Sequence, residues 1–368
     1  MTPSMMTALR EPLTLTRGPA WANRVQLAPL TNWQSHADGT LGEDEYHWLT
    51  MRGRGGFGMV MTCAAHVQAV GQGFPGQLGV FSDRHLDGLS GLAAGIRQHG
   101  SLAFVQLHHA GLRAPAALIG GRPVSASDDE KTGARALVTD EVEQVAADFI
   151  QAAARAERAG FDGVELHGAH GYLLCQFLSG TVNHRADRYG GSLDNRCRLL
   201  FDILQGIRAQ CRPDFLLGVR LSPERFGMTL AETPLIARRL LDSGLTDLLD
   251  LSLWDAFKEP EEESFRGKTL FSYFTALERG RVRMSAAGKI QTARNVHDVL
   301  SAGADIATIG RAAILHHDFP ERCRENPDFE PVPLPVSEAY LHAEGLSEPF
   351  VGYMKTWQGF VAEAAQRS

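Results

Sequence analysis

The feature that most constrains this chain is an alternation between short apolar runs rich in β-branched residues and longer amphipathic stretches. The short runs lie at 25–31 (VQLAPLT), 58–64 (GMVMTCA), 102–109 (LAFVQLHH), 161–167 (FDGVELH), 215–222 (FLLGVRLS), 248–254 (LLDLSLW), 281–288 (RVRMSAAG) and 305–311 (DIATIGR). Runs this short and this apolar are the pattern of strands buried on both faces of a parallel sheet. The stretches between them have a helical period. Over 140–159, Val142, Val145, Phe149 and Ala153 share one stripe, acidic residues fill the first turn and Gly160 ends it. Segments 83–99, 229–243 and 291–302 stop at Gly100, Gly244 and Gly303 in the same way, and 194–210 is the helix of the fourth unit.

Eight such units close into an α/β fold of the (β/α)8 TIM-barrel type with no strand left over. The rival is an open doubly wound sheet, but its GxGxxG turn is missing after the first strand, where the chain reads PLTNWQ. A length of 368 residues would by itself suggest two or three domains, yet it also suits one barrel with extensions. We expect a single barrel domain over 1–326, with 110–138 forming a lid or hairpin after the third strand. Residues 327–368 read as a Pro-rich linker and a C-terminal helical extension, helical at 337–366 and packed outside the barrel. The acidic run EPEEE within 255–270 reads as a solvated loop.

Composition removes several function classes. A hydrophobic fraction of 44% excludes a disordered chain. A net charge of −7 without a basic cluster argues against nucleic acid as a partner. No apolar run approaches the ~18 residues of a membrane span. The N-terminal stretch MTPSMMTALREPLTLTRG lacks an apolar signal core, so a cytoplasmic location and no membrane partner are expected. Cys63, Cys175, Cys197, Cys211 and Cys323 are scattered without a CxxC, which argues against structural zinc or an iron–sulfur cluster.

Barrel enzymes carry their chemistry at the C-terminal ends of the strands. Here those ends bear Thr31, Ala64, Gln106, His108, His109, His167, Arg220, Trp254, Gly288 and Gly310-Arg311. The fourth strand runs into His167-Gly-Ala-His170-Gly-Tyr172. Two imidazoles three residues apart can ligate a metal, can be packed and internally satisfied, or can donate to a substrate oxygen with Tyr172 as proton donor. Arg220 either meets an anionic or carbonyl-rich ligand or pairs internally with Glu165. Gly288-Lys289 and Gly310-Arg311 place free backbone amides and two cations on the last two loops, the usual barrel phosphate site.

With those positions in view, the chain resembles the Old Yellow Enzyme family of FMN-dependent ene-reductases. The resemblance rests on NRVQLAPLT (23–31), FVQLHHAG (104–111), HGAHGYL (167–173) followed by NHRADRYGGSLDNR (183–196), GVRLS (218–222) and AGADIATIGR (302–311). It implies bound FMN, NADH or NADPH as reductant, and a small electron-poor alkene as substrate, in a monomer or homodimer. It further implies that Ala28, Pro29, Leu30, Thr31 and Ala64 contact the isoalloxazine and that Gln106 meets its pyrimidine edge. Arg220 would sit at N1/O2, and Gly288, Lys289, Gly310 and Arg311 would hold the phosphate. His167 and His170 would grip a carbonyl or nitro oxygen while Tyr172 protonates carbon. Trp33 and His108 would shape the substrate pocket. Two other readings remain: a metal-dependent barrel hydrolase using His167 and His170, and a non-catalytic flavin-binding redox protein.

Overall fold

The structure, a computed structural model, describes residues 9–363. The last positions of the helix expected over 337–366 lie outside the described residues, as does the start of the N-terminal stretch. Eight strands form: β1 (Val25–Leu27), β2 (Met59–His66), β3 (Leu102–His108), β4 (Gly163–Gly168), β5 (Leu216–Leu221), β6 (Leu248–Ser252), β7 (Arg283–Ala287) and β8 (Ile306–Ile309). Each precedes a helix: α1 (Glu43–Arg54), α2 (Leu86–Arg97), α3 (Thr139–Arg158), α4 (Leu193–Gln210), α5 (Thr233–Asp242), α6 (Ser272–Thr275), α7 (Ala293–Ser301) and α8 (Phe319–Glu325). All strand pairs are parallel, and β1 bonds to both β2 and β8, so the sheet closes as a barrel.

Inside the barrel the two-residue period of a strand sorts side chains into storeys. At the base Met59, Met61, Phe104, Leu216, Leu248 and Ile306 pack together with Trp21, which arrives on the Leu13–Trp21 bridge and plugs that end. Two residues further along, the same inward faces turn polar as Gln106, Asp250 and Thr308, with Gly218 leaving space on β5, and are joined by Gln26, Glu165 and Ser285. This belt is hydrogen-bonded across the barrel. Ser285 Oγ donates to Asp250 Oδ1 at 2.7 Å, and Gln26 Nε2 donates to Thr308 Oγ1 at 2.6 Å. One storey higher come His108, His167, Arg220 and Ser252; the last three reach the mouth, and His108 lies behind its wall. The chemistry sits there because the base is filled with hydrocarbon and most of the belt bonds to itself, with only Gln106 and Thr308 of its side chains lining the cleft.

One expectation needs correction and two need refinement. The extension beyond 337 forms two short helices, α9 (Glu338–Ala343) and α10 (Glu348–Lys355), rather than one long one. It packs on the barrel, with Phe350 against Trp48 of α1, and also reaches over its rim. Gly345 and Gly359 break it, and Tyr353 and Trp357 line the mouth. The 255–270 segment is solvent-exposed over most of its length, Glu259, Glu261 and Glu263 included, yet it is anchored at several points. Lys258 binds Glu224 and Glu261, Arg225 binds Glu261, and the Leu230 amide donates to Glu262 Oε1 at 2.9 Å. The acidic run therefore stitches the loop after β6 to the loop after β5. The 110–138 insertion holds a one-turn helix (Ala116–Ile119) and two two-residue strands (Val124–Ser125, Arg135–Ala136) that flank the site.

Buried histidines under this insertion link fold to pH. His109 accepts from the Gly111 amide at Nδ1 (3.0 Å) and donates from Nε2 to Gln68 Oε1 (3.1 Å), so the neutral ring is fully satisfied. Protonating Nδ1 would break the first bond inside a site that burial has dried, and its pKa is held down at about 3. Burial likewise holds His66 at about 4. Both values lie below that of an unfolded histidine, about 6.5, so the unfolded chain binds more protons between the two. Stability is therefore complete above about pH 6.5 and drains away as pH falls toward these folded-state values. In His109→Gln, the stability lost between pH 7 and 4.5 should shrink by about 2–3 kcal/mol, read by urea unfolding at both pH values. An unchanged loss would remove His109 from this role.

Candidate active site

The mouth is a cleft of two connected lobes. The inner lobe, about 190 Å³, is lined by Thr31, Ala64, Gln106, His167 and Tyr172 among others. The outer lobe, about 730 Å³, is lined by Ala28, Gly288, Lys289, Gly310 and Arg311 among others. Pro29, Leu30, His170, Arg220 and Trp357 line both and mark where they join. Every residue expected to touch cofactor or substrate oxygen thus faces this one cleft. The two expected to shape its substrate end do not. Trp33 turns away and packs on Tyr353 with ring centroids 5.0 Å apart. His108 stands behind the wall, its ring 4.4 Å from that of Tyr172 and 5.3 Å from that of His167.

Local backbone geometry shows how the loops aim these groups. Among the described residues, the non-glycine residues with left-handed φ are Trp33, His170, Arg225, Phe226, Trp254 and Lys289, each in a loop that follows a barrel strand. Strained conformations gather where a surrounding structure over-determines them. At His170 (φ 58°) the turn folds the second imidazole back beside the first, and the Ser222 hydroxyl pins its amide at 3.0 Å. Arg113 from the insertion donates to the His170 carbonyl and lies 4.9 Å over the Tyr172 ring. Gly288 is required as glycine: at φ 150° a Cβ would lie 2.8 Å from the Asp255 amide nitrogen.

His167 Nε2 and His170 Nδ1 are 2.8 Å apart, and His170 Nε2 is 2.7 Å from Ser252 Oγ. Burial, helped by the neighbouring cations and imidazoles, holds His167 well below the usual histidine range and His170 at about 3. Both rings are neutral at pH 7, so each carries one N–H. Tyr172 is pushed the other way: burial raises its pKa, and its phenol keeps its proton. The site therefore offers neutral donors in a nearly dry wall. In the free protein the imidazoles are engaged with each other and with a hydroxyl. Among the described residues no cluster of three His, Cys, Asp or Glu is placed to hold a metal ion.

Arg220 is paired, but not with Glu165. Its Nε lies 3.3 Å from Asp250 Oδ2 on β6, and Nη2 is 3.5 Å from Ser252 Oγ. Glu165 instead accepts from Gln106 Nε2 at 2.8 Å. Lys289 lines the outer lobe with its ammonium 3.0 Å from Asp255 Oδ2. Arg311 lies 5.7 Å from the Trp357 ring. Sequence reasoning missed Ser252, Asp250 and Arg113, together with the capping residues Tyr353, Met354 and Trp357. The strand-end rule could have found Ser252. No local signal marks the cap.

Comparison with known proteins agrees with this architecture. Residues 8–329 match the family model described as NADH:flavin oxidoreductase / NADH oxidase. A probable NADH-dependent flavin oxidoreductase of Bacillus subtilis is 34% identical over 328 residues, which is 86% of this chain and 88% of that protein. An NADPH dehydrogenase of Bacillus pumilus is 31% identical, covering 87% of this chain and 95% of that protein. The solved Old Yellow Enzyme homologue of Zymomonas mobilis superposes with a TM-score of 0.78 at 26% identity, over 93% of this chain and 99% of that one. A barrel closed by these eight strands, with its polar groups gathered at one mouth, belongs to the NADH:flavin oxidoreductase / NADH oxidase family, whose members are FMN-dependent and draw on NAD(P)H.

Proposed function

We propose that this chain is an ene-reductase that reduces the C=C bond of α,β-unsaturated carbonyl or nitro compounds. The carrying observation is the inner lobe, where a neutral histidine pair and a protonated phenol face one space that opens onto the larger lobe. FMN, when bound, supplies the chemistry of taking hydride from NAD(P)H and passing it to the electron-poor carbon.

The residues present suit that cofactor. The floor between the lobes pairs a flat apolar run, Ala28-Pro29-Leu30, with the buried guanidinium of Arg220, whose Nε makes no well-aligned hydrogen bond. Gln106 and Arg220 would meet the pyrimidine side of the isoalloxazine, with Thr31 and the Ala64 backbone at its edge. Gly288, Lys289, Gly310 and Arg311 would hold the phosphate in the outer lobe, where two cations and a Cβ-free backbone favour an anion. His167 and His170 bind the substrate oxygen by donating their N–H groups, which draws electron density from the double bond. Neutral rings suit this work because they polarise without giving up a proton. Tyr172 holds a proton at its hydroxyl and delivers it to the α-carbon. Trp357, Tyr353 and Met354 roof the lobe and exclude water.

In the free protein one imidazole N–H is used on the other ring. Ligand binding must open the 2.8 Å His167–His170 contact so that both rings can donate to one oxygen. A phenol titrated into the flavin-loaded protein should be held as phenolate over the flavin and give a long-wavelength charge-transfer band. His167→Ala/His170→Ala should abolish that band and lower enone turnover on the order of 10²-fold or more. A band that persists in the double variant would overturn the oxygen-binding role. Steady turnover of a cyclic enone with NAD(P)H separates the enzyme from a protein that only stores flavin.

A further inference from the structure

The polar belt beneath the cleft contains one acid that the proposed chemistry leaves unused. Glu165 is fully buried on β4 and its Oε2 has no hydrogen-bond partner. Its Oε1 accepts from Gln106 Nε2 at 2.8 Å. A glutamine amide has two ends of nearly equal size and opposite hydrogen-bonding character. Whichever end faces the cleft decides whether the cleft presents an acceptor or a pair of donors there. With Nε2 turned down to Glu165, Oε1 of Gln106 is the end left toward the inner lobe that Gln106 lines.

We propose that Glu165 is a positioning residue: it fixes the Gln106 amide so that the carbonyl oxygen faces the cleft, ready to accept from the imide N–H of the flavin. This rests on the assignment of Gln106 to the pyrimidine edge made above. The groups facing Glu165 are Gln106 on β3, Arg220 on β5 and Asp250 on β6. Burial and the Asp250 carboxylate raise its pKa, while Arg220 pulls the other way.

The test uses the flavin-loaded protein and reads FMN affinity, not turnover. Glu165→Leu frees the amide to turn and should weaken FMN binding about tenfold, as Gln106→Leu should, and the double variant should lose no more than either alone. Glu165→Gln, which keeps an acceptor, should bind FMN within about twofold of the parent. Wild-type affinity in Glu165→Leu, alongside a loss in Gln106→Leu, would overturn the positioning role while leaving the Gln106 assignment intact. Wild-type affinity in Gln106→Leu would overturn both. If Glu165→Leu does not fold, Glu165→Ser, whose short side chain cannot reach the Gln106 amide, is read in its place: FMN affinity within about twofold of the parent would overturn the proposal.

Discussion

Tyr172→Phe should slow the reduction of an enone by about 100-fold or more while leaving reduction of the flavin by NAD(P)H at the parent rate. The hydroxyl is the only thing removed. The phenylalanine ring keeps the edge contact with His108, centroid separation 4.4 Å, and the Arg113 guanidinium 4.9 Å above it. Because the wall is preserved, the cleft should bind the reductant as before. The lost proton has no substitute nearby. The two imidazoles are held neutral at pH 7, and their N–H groups are needed at the substrate oxygen. Stopped-flow measurement of the two half-reactions separates these outcomes. Equal losses in both would place Tyr172 in the packing of the cleft and not in proton transfer.

That the variant can be designed so narrowly reflects how much of the site is written in strand ends. Six of the eight strands lie within the runs read from apolar content, and β2 and β4 overrun theirs by two residues and one; the inward alternation follows from the period of two. Leu248, Asp250 and Ser252 climb one face of β6 from base to belt to mouth, so their order along the sequence is their order in depth. Gln106 and His108 do the same on β3. Register, however, depends on neighbours. Arg220 stands opposite both His167 on β4 and Asp250 on β6. Which acid it pairs with is set by barrel stagger, which a single strand's sequence does not express. Glu165 lies opposite Gly218, two residues below Arg220 on β5. The pairing therefore went to the residue in register.

The cap was illegible for another reason. A helix of eight residues such as α10 has no pattern that distinguishes packing on the outside of a barrel from lying across its mouth. Its placement comes from long-range contacts: Trp33 on Tyr353, Trp48 on Phe350, and Ser347 bonded to Gln34 at 2.8 Å. These tie it to the segment after β1, and that tether carries Trp357 over Arg311. The same contact explains why Trp33 is absent from the cleft. The ring is used to seat the cap. The anchoring of the exposed acidic run was out of reach for a similar reason, since its partners Arg225 and Leu230 lie more than thirty residues upstream.

Arg220→Leu should cost about 3–5 kcal/mol of stability, the largest loss expected of any single change at this site. The guanidinium is 6% exposed and Asp250, which it faces at 3.3 Å, is fully buried. Removing the cation strands that carboxylate in the barrel interior with only the Ser285 and Thr308 hydroxyls to stabilise it. Breaking such a pair is costly because one charge is left behind, not because the pair itself is strong. Removing both partners in Arg220→Leu/Asp250→Leu should therefore recover most of the lost stability. It should not recover the cofactor. If Arg220 meets the side of the flavin where negative charge gathers on reduction, both variants should bind FMN weakly and hold it at a lower reduction potential. Urea unfolding reads the first quantity, and FMN titration with the potential reads the second. Should the double variant regain FMN affinity together with stability, Arg220 serves only to neutralise Asp250. Should the single variant unfold at the parent's urea concentration, Asp250 is stabilised by the belt alone and the guanidinium is free for the ligand.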